Sequence, residues 1–351
     1  MSNATRFYCT VESVKRAVGG TIAGTLADDL IAAYIQAASE DIERAYNRRF
    51  IPLTGTKYYP WPQPNGLRSY VLYLDEDLIA VTSLTREGDT ATAIDSGDYF
   101  LEPANLGPPY DHIEIDLSSS AYFASSNTHQ RAVRVTGRWG YCEDTRAAGT
   151  LATALSDTTG TTVVCSDASL IGIGDTIKID SEAMFVSAKA TVDTTANTAG
   201  ALIANKSETT VAVNTGSLVK AGEVILIDSE KMYVESVSGN NLSVVRAYDG
   251  STLATHANPS DVYAYRTLTV TRGENGTTAA THSGSAAIVR YAPPVANICR
   301  SLAIAYHEQS RGGWTGAIGT AEAAVETRLS GLRWLLERGQ NQFRRRAAGA
   351  V

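Results

Sequence analysis

No apolar run in the 351 residues approaches the roughly 18 needed to span a bilayer as a helix, so no transmembrane segment is expected. The first ten residues lack a basic-then-apolar leader pattern, and no secretion is inferred. Cysteine is scarce: Cys9, Cys142, Cys165 and Cys299 lie far apart with no CxxC. That spacing argues against a disulfide framework or zinc site and suits free thiols in a reducing compartment. The five histidines, His112, His129, His256, His282 and His307, have no His or Cys neighbour at ligand spacing. No transition-metal site is expected from them. GxSxG, P-loop and HExxH motifs are absent, so no catalytic, cofactor-binding or metal-ligating residue is assigned and the chain is read as a non-enzyme. Charged residues make up only 19%, the hydrophobic share is 44%, and glycine is raised at 29. Such a composition suits a β-rich chain with many turns and excludes long disorder.

Charge is unevenly placed within the net −7. Residues 1–141 hold 12 basic and 17 acidic side chains, 142–292 hold 10 and 16, and 293–351 hold 8 and 4. A chain that is −11 before residue 293 does not suit general duplex-DNA binding, which needs phosphate neutralisation. Three of the C-terminal charges form the run Arg344, Arg345, Arg346. Such a run is either a solvated tail or a segment for an acidic partner surface.

The first fifty residues read as helices. Thr10 caps one that Gly19-Gly20 ends, and Thr25 caps a second with Asp28 and Asp29 in its first turn. Leu26, Leu30, Ala33, Tyr34, Ala37 and Ala45 form the expected apolar stripe, widened by Ile31, Ile35 and Ile42. From Lys57 to Arg138 the period changes to two. Strands are expected at 69–74 and 79–85 around an acidic turn Asp75-Glu76-Asp77, then at 98–101, 112–116 and 132–138. The Thr/Ser/Gly-rich stretches 143–160 and 191–208 read as linkers. Pro293-Pro294 opens a helix, and a last helix is expected from about Thr320 to Arg338.

The middle of the chain repeats. Residues 161–187 align with 209–235 at an offset of 48 with 13 identities, including Ile179-Asp180-Ser181-Glu182 against Ile227-Asp228-Ser229-Glu230. A second pair aligns at an offset of 26: Leu242, Val244, Arg246, Gly250 and His256 match Leu268, Val270, Arg272, Gly276 and His282. Two first halves are followed by two second halves. Nesting accounts for that order: module B, 209–265, sits in a loop of module A, 161–189 plus 267–291. The alternative is a decayed tandem array, with 191–207 a degenerate second half.

Asp180/Glu182 and Asp228/Glu230 are the sharpest acidic candidates, since residues i and i+2 of a strand share a face. Two carboxylates are too few for Ca²⁺ and no DxDxDG loop accompanies them, which favours a strand-end turn. His256 and His282 follow Ala-Thr in each module; a shared structural hydrogen bond explains that placement, with ligand binding the alternative. Trp139 at a strand end reads as packing between sheet and helix.

The phrases Asp41-Ile-Glu-Arg-Ala-Tyr-Asn-Arg-Arg-Phe50, Leu78 to Leu84, and Val135-Thr-Gly-Arg-Trp-Gly-Tyr141, followed by a Pro-initiated helix, resemble the head-to-tail connector (adaptor) proteins of tailed bacteriophages. The likeness covers about 1–141 and 293–338, and the repeat itself resembles small β modules of other phage structural proteins. It implies an α+β fold: a helical adaptor core (1–141 and 293–351) with a small antiparallel sheet, plus an all-β insertion at 142–292. It further implies a virion structural protein without cofactor, found at the head–tail junction and in the host cytoplasm during assembly. The expected partners are further copies in a ring of twelve, the portal, a tail or stopper protein, and DNA passing without sequence-specific binding; no membrane is involved. Arg344, Arg345 and Arg346 are the candidate portal contacts. A second function class stays open, in which the β modules bind host glycan or a capsid surface.

Overall fold

In the computed structural model the described residues are 6–18, 28–62, 69–87, 91–124, 128–312, 336–337, 339–340 and 342–343. Trp314, Trp334, Arg344, Arg345, Arg346 and nearly all of the expected last helix lie outside them. Three α-helices are bounded within the described residues: α1 (Val11–Ala17), α2 (Asp28–Tyr46) and α3 (Ala296–Gly312). Thr10 and Ser13 cap α1 reciprocally, each side-chain oxygen accepting from the other's backbone N–H at 3.2 Å. The buried stripe of α2 is Ile31, Ile35, Ala38, Ile42 and Tyr46, whereas Leu30 is 43% exposed. Alanines occupy both faces of this helix, so only the bulky isoleucines mark the core side.

The expected α+β class with a helical adaptor core is overturned. Two large antiparallel sheets, of six and ten strands, dominate the chain. The difference has a local cause: several stretches whose composition suggests turns and linkers are strand.

The chain divides into two units: 40–144 with 275–277 and 333–351, and 1–39 with 145–274 and 278–332. The 40–144 unit holds β1 (Leu53–Tyr59), β2 (Val71–Arg86), β3 (Thr92–Ile94), β4 (Tyr99–Glu102), β5 (Tyr110–Ile115) and β6 (Val133–Trp139). Their order is β1-β6-β2-β5-β4, with β3 on β2. Asp75-Glu76-Asp77 is not a turn but lies inside β2, at a register shift between Tyr73 and Leu78. Two of its acidic groups are held by β1: Tyr59 donates its hydroxyl to Asp75 at 2.5 Å, and Lys57 reaches Glu76 at 2.7 Å. Leu72, Leu78, Leu84, Ile113, Val133, Val135 and Trp139 pack one face. Trp139 packs within this sheet's core and donates its indole N–H to the Gly55 carbonyl at 3.0 Å. A Cβ on Gly137 would sit 2.2 Å from the Ala80 carbonyl oxygen, so only glycine lets β6 approach β2 there.

The other unit's strands are β7 (Thr145–Thr150), β8 (Thr162–Val164), β9 (Thr176–Ile179), β10 (Glu182–Asn197), β11 (Thr210–Ala212), β12 (Val224–Ile227), β13 (Glu230–Ser238), β14 (Asn241–Val245), β15 (Asp261–Thr271) and β16 (Ala287–Tyr291). They form two closed circuits. The first runs β8, the end of β15, the start of β10, β9, β16 and β7. It closes through Leu151↔Cys165, where Ala152 donates to Val164 at 2.8 Å. The second runs β11, β14, β13, β12, the start of β15 and the end of β10. It closes through Thr198↔Val213, where Ala199 donates to Ala212 at 2.8 Å. Closure leaves neither small barrel with an open edge. The stretches expected as linkers supply β7, which buries Ala148, and the end of β10, where buried Thr194 and Ala196 alternate with exposed Asp193 and Thr195.

Each barrel has its own core. One gathers residues from Ala148 to Val186 and from Leu268 to Ile288; the other gathers Ala196 to Ala264. The registers locate the junction. Val186↔Val270 and Ala190↔Thr267 in the first barrel correspond to Val234↔Val244 and Ser238↔Asn241 in the second, with a register shift after Val186 and after Val234 alike. In the second barrel Gly239-Asn240 then turns the chain back. In the first, β10 and β15 run on and become two strands of the second barrel.

Candidate functional site

The repeated acidic pairs and histidines meet in two matching clasps. A two-residue turn joins β9 to β10, with Asp180 left-handed at φ 52°, and another joins β12 to β13, with Asp228 at φ 51°. Aspartate tolerates this conformation better than most residues. Glu182 and Glu230 follow and are fully buried.

In the first clasp Arg272 grips Glu182 through two nitrogens, at 2.7 and 2.8 Å. The backbone N–H groups of Gly273 and Ala280 donate to the same carboxylate at 3.0 and 2.9 Å. His282 places Nε2 2.9 Å from Glu182 and Nδ1 2.7 Å from Asp180. The second clasp repeats the set: Arg246 on Glu230 at 2.8 Å twice, Ala247 and Ala254 N–H at 2.8 and 3.0 Å, and His256 between Glu230 at 2.9 Å and Asp228 at 2.6 Å. Each histidine also pairs its backbone across the clasp, with Leu155 and with Leu202.

Burial drives the pKa of Glu182 and Glu230 upward, but the arginine, histidine and two backbone donors outweigh it and hold both at about 2. Both carboxylates are therefore ionised and fully engaged. They offer no free oxygen to a metal and no proton to a substrate. Among the described residues no group of three or more His, Cys, Asp or Glu is arranged to hold a metal ion. The clasps join chain segments; they are buried ion pairs with every lone pair used.

The resemblance-bearing phrases also converge, within the 40–144 unit. Leu78 pairs with Trp139 and Val81 with Gly137. Tyr141 N–H donates to the Arg49 carbonyl and Gly140 N–H to the Asp77 carbonyl, both at 2.8 Å. Phe50 packs at a tilt against Tyr141 at 5.5 Å, and Phe343 lies edge-on to both, at 5.6 and 5.7 Å. Beside them is a polar cavity of about 160 Å³ lined by Glu43, Asn47, Arg48, Arg49, Glu76, Asp77 and Gly140. Arg48 faces the buried Asp77 at 3.5 Å and lies over the Tyr141 ring at 4.7 Å. Mixed charges of both signs in so small a space suit water or one polar side chain rather than an organic substrate. Sequence reasoning did not single out this cavity; the charge run Asn47-Arg48-Arg49 before a proline was its available signal.

The described residues include no helix long and apolar enough to cross a membrane. No family model, curated protein or solved structure matches the chain.

Proposed function

We propose that the chain is a structural protein of a tailed-phage particle, a head-to-tail connector that assembles as a ring between portal and tail and extends the DNA channel. The supporting observation is the convergence of the three resemblance-bearing phrases into one packed unit. Phrases 41–50, 78–84 and 135–141 touch one another there through backbone hydrogen bonds and aromatic contacts. The unit that carries the proposal is built on a six-stranded sheet, not on a helical core.

Phe343 is 5% exposed and packs on Tyr46, Phe50 and Tyr141, so the chain is tied to this unit immediately before Arg344, Arg345 and Arg346. A basic segment leaving a fixed point is suited to an acidic portal surface. The test is native mass measurement of the full chain mixed with the portal ring of its particle, with and without residues 344–351. The full chain is expected to form a multi-copy ring on the portal, and the truncated chain to bind more weakly, with a shallower salt dependence. A monomer that ignores the portal refutes the connector reading. Immunogold against 142–292 at fibre tips instead of the head–tail junction favours glycan or capsid-surface binding by the barrels.

A further inference from the structure

Two of the four cysteines lie side by side. Cys9, just before α1, and Cys299, in the second turn of α3, are 290 positions apart in sequence, yet the Cys9 thiol donates to the Cys299 sulfur at 3.4 Å. Both are buried, Cys299 completely and Cys9 at 8% exposure. Ser39 in α2 places its hydroxyl 3.4 Å from the Cys299 sulfur, and the same oxygen accepts from Tyr8 N–H at 3.1 Å. Three chain segments thus meet at one sulfur pair. Cys165, by contrast, belongs to the core of the first barrel, and Cys142 is half-buried after β6.

We propose that Cys9 and Cys299 are a disulfide-forming site, which on exposure to a small-molecule disulfide cross-links the segment before α1 to α3. The less buried Cys9 reacts first. Its thiolate attacks the oxidant RSSR, forms Cys9–S–SR and releases RS⁻. The Cys299 thiolate then attacks the Cys9 sulfur, the protein disulfide forms, and the second RS⁻ leaves. Two protein thiols are oxidised, RSSR is reduced to two RSH, and the two thiol protons end on them. Exposure sets this order, since an incoming disulfide reaches Cys9 before the fully buried Cys299. Hydrogen bonding to Cys299 and burial both raise the Cys9 pKa, which makes the first attack slow. In the second step the Cys9 thiol proton is gone, and the Ser39 hydroxyl beside the Cys299 sulfur is the contact that still lowers the Cys299 pKa against burial. The closed loop takes in almost the whole chain, so the cross-link removes much of the unfolded chain's freedom.

The experiment is incubation of the full chain with oxidised glutathione, alkylation of remaining thiols, and mass spectrometry of a non-reducing digest. A Cys9 peptide linked to a Cys299 peptide is expected, with Cys142 and Cys165 alkylated. Cys299→Ser should instead accumulate glutathione on Cys9. The cross-linked chain should show an unfolding equilibrium constant lower by a factor on the order of 10² than the reduced chain. Recovery of Cys9 and Cys299 as separate alkylated or glutathionylated peptides from the wild-type chain, or linkage of either to Cys142 or Cys165, overturns the proposal.

Discussion

In the second barrel Glu230 reaches an arginine 16 residues away and a histidine 26 residues away; in the first, Glu182 reaches across 90 and 100 residues for the same partners. The resulting distances agree within 0.1 Å. Sequence separation therefore does not set the geometry. The register of β10 on β15 does, and it matches that of β13 on β14. Closing a flexible loop of 90 rather than 16 residues costs on the order of 1–2 kcal/mol more. Here the intervening chain is itself a folded barrel whose ends leave as paired strands, so most of that cost is met when the inner barrel folds. An insertion is tolerated when it enters and leaves at adjacent positions of a hairpin.

The clasps give the largest lever on this comparison. Arg246→Ala and Arg272→Ala each strand a buried carboxylate, with an expected loss of about 3–5 kcal/mol in urea unfolding. If the barrels are equivalent, the two losses match within about 1 kcal/mol. An Arg272→Ala loss near zero would mean that the clasp of the split barrel is not structural.

Acid offers a smaller, shared effect. Glu182 and Glu230 are held at about 2 when folded, below the ordinary carboxylate value, so their contribution is complete above roughly pH 4.5 and is lost as pH falls toward 2. Thermal unfolding followed from pH 7 to pH 2.5 should show the midpoint fall steeply below pH 4.5. The double variant Glu182→Gln, Glu230→Gln should be less stable at pH 7 and flatter in that window. An equally steep fall in the double variant would assign the acid sensitivity to other groups.

The smallest effect separates the barrels. After its arginine the first barrel has Gly273 at φ 65°, while the second has Ala247 at φ 52°. Ala247→Gly should stabilise the chain by about 1 kcal/mol, and Gly273→Ala should destabilise it by a similar amount. Opposite signs in chemical denaturation check this; equal signs would break the equivalence of the two turns.

The parts of this architecture that show in the sequence are those where chemistry restricts the residue. Asp, Glu, Arg and His of the clasps recur at offsets of 48 and 26 because each makes several specified hydrogen bonds. The closing strands do not show. Thr145–Thr150 and the end of β10 contribute mainly backbone, and Leu155 and Leu202 occupy equivalent places in poorly matching segments. Backbone pairing leaves little trace in side-chain identity, and Thr/Ala-rich strands look like linkers. The expectation of a helical core with only a small sheet erred for a related reason. A β2 strand interrupted by three acidic residues reads as two short strands and a turn, because the partners Tyr59 and Lys57 that satisfy those acids are remote in sequence. Arg344, Arg345 and Arg346, singled out by composition, lie outside the described residues.

Replacing residues 191–266 with the Gly-Asn turn that the inner barrel uses between Ser238 and Asn241 tests the nested architecture most directly. Nesting requires that Ala190 and Thr267 then close a hairpin and that the shortened chain still unfolds cooperatively, with the Arg272–Glu182–His282 clasp intact. Collapse of the first barrel, seen as loss of its cooperative transition and of amide protection in β9 and β16, would contradict it.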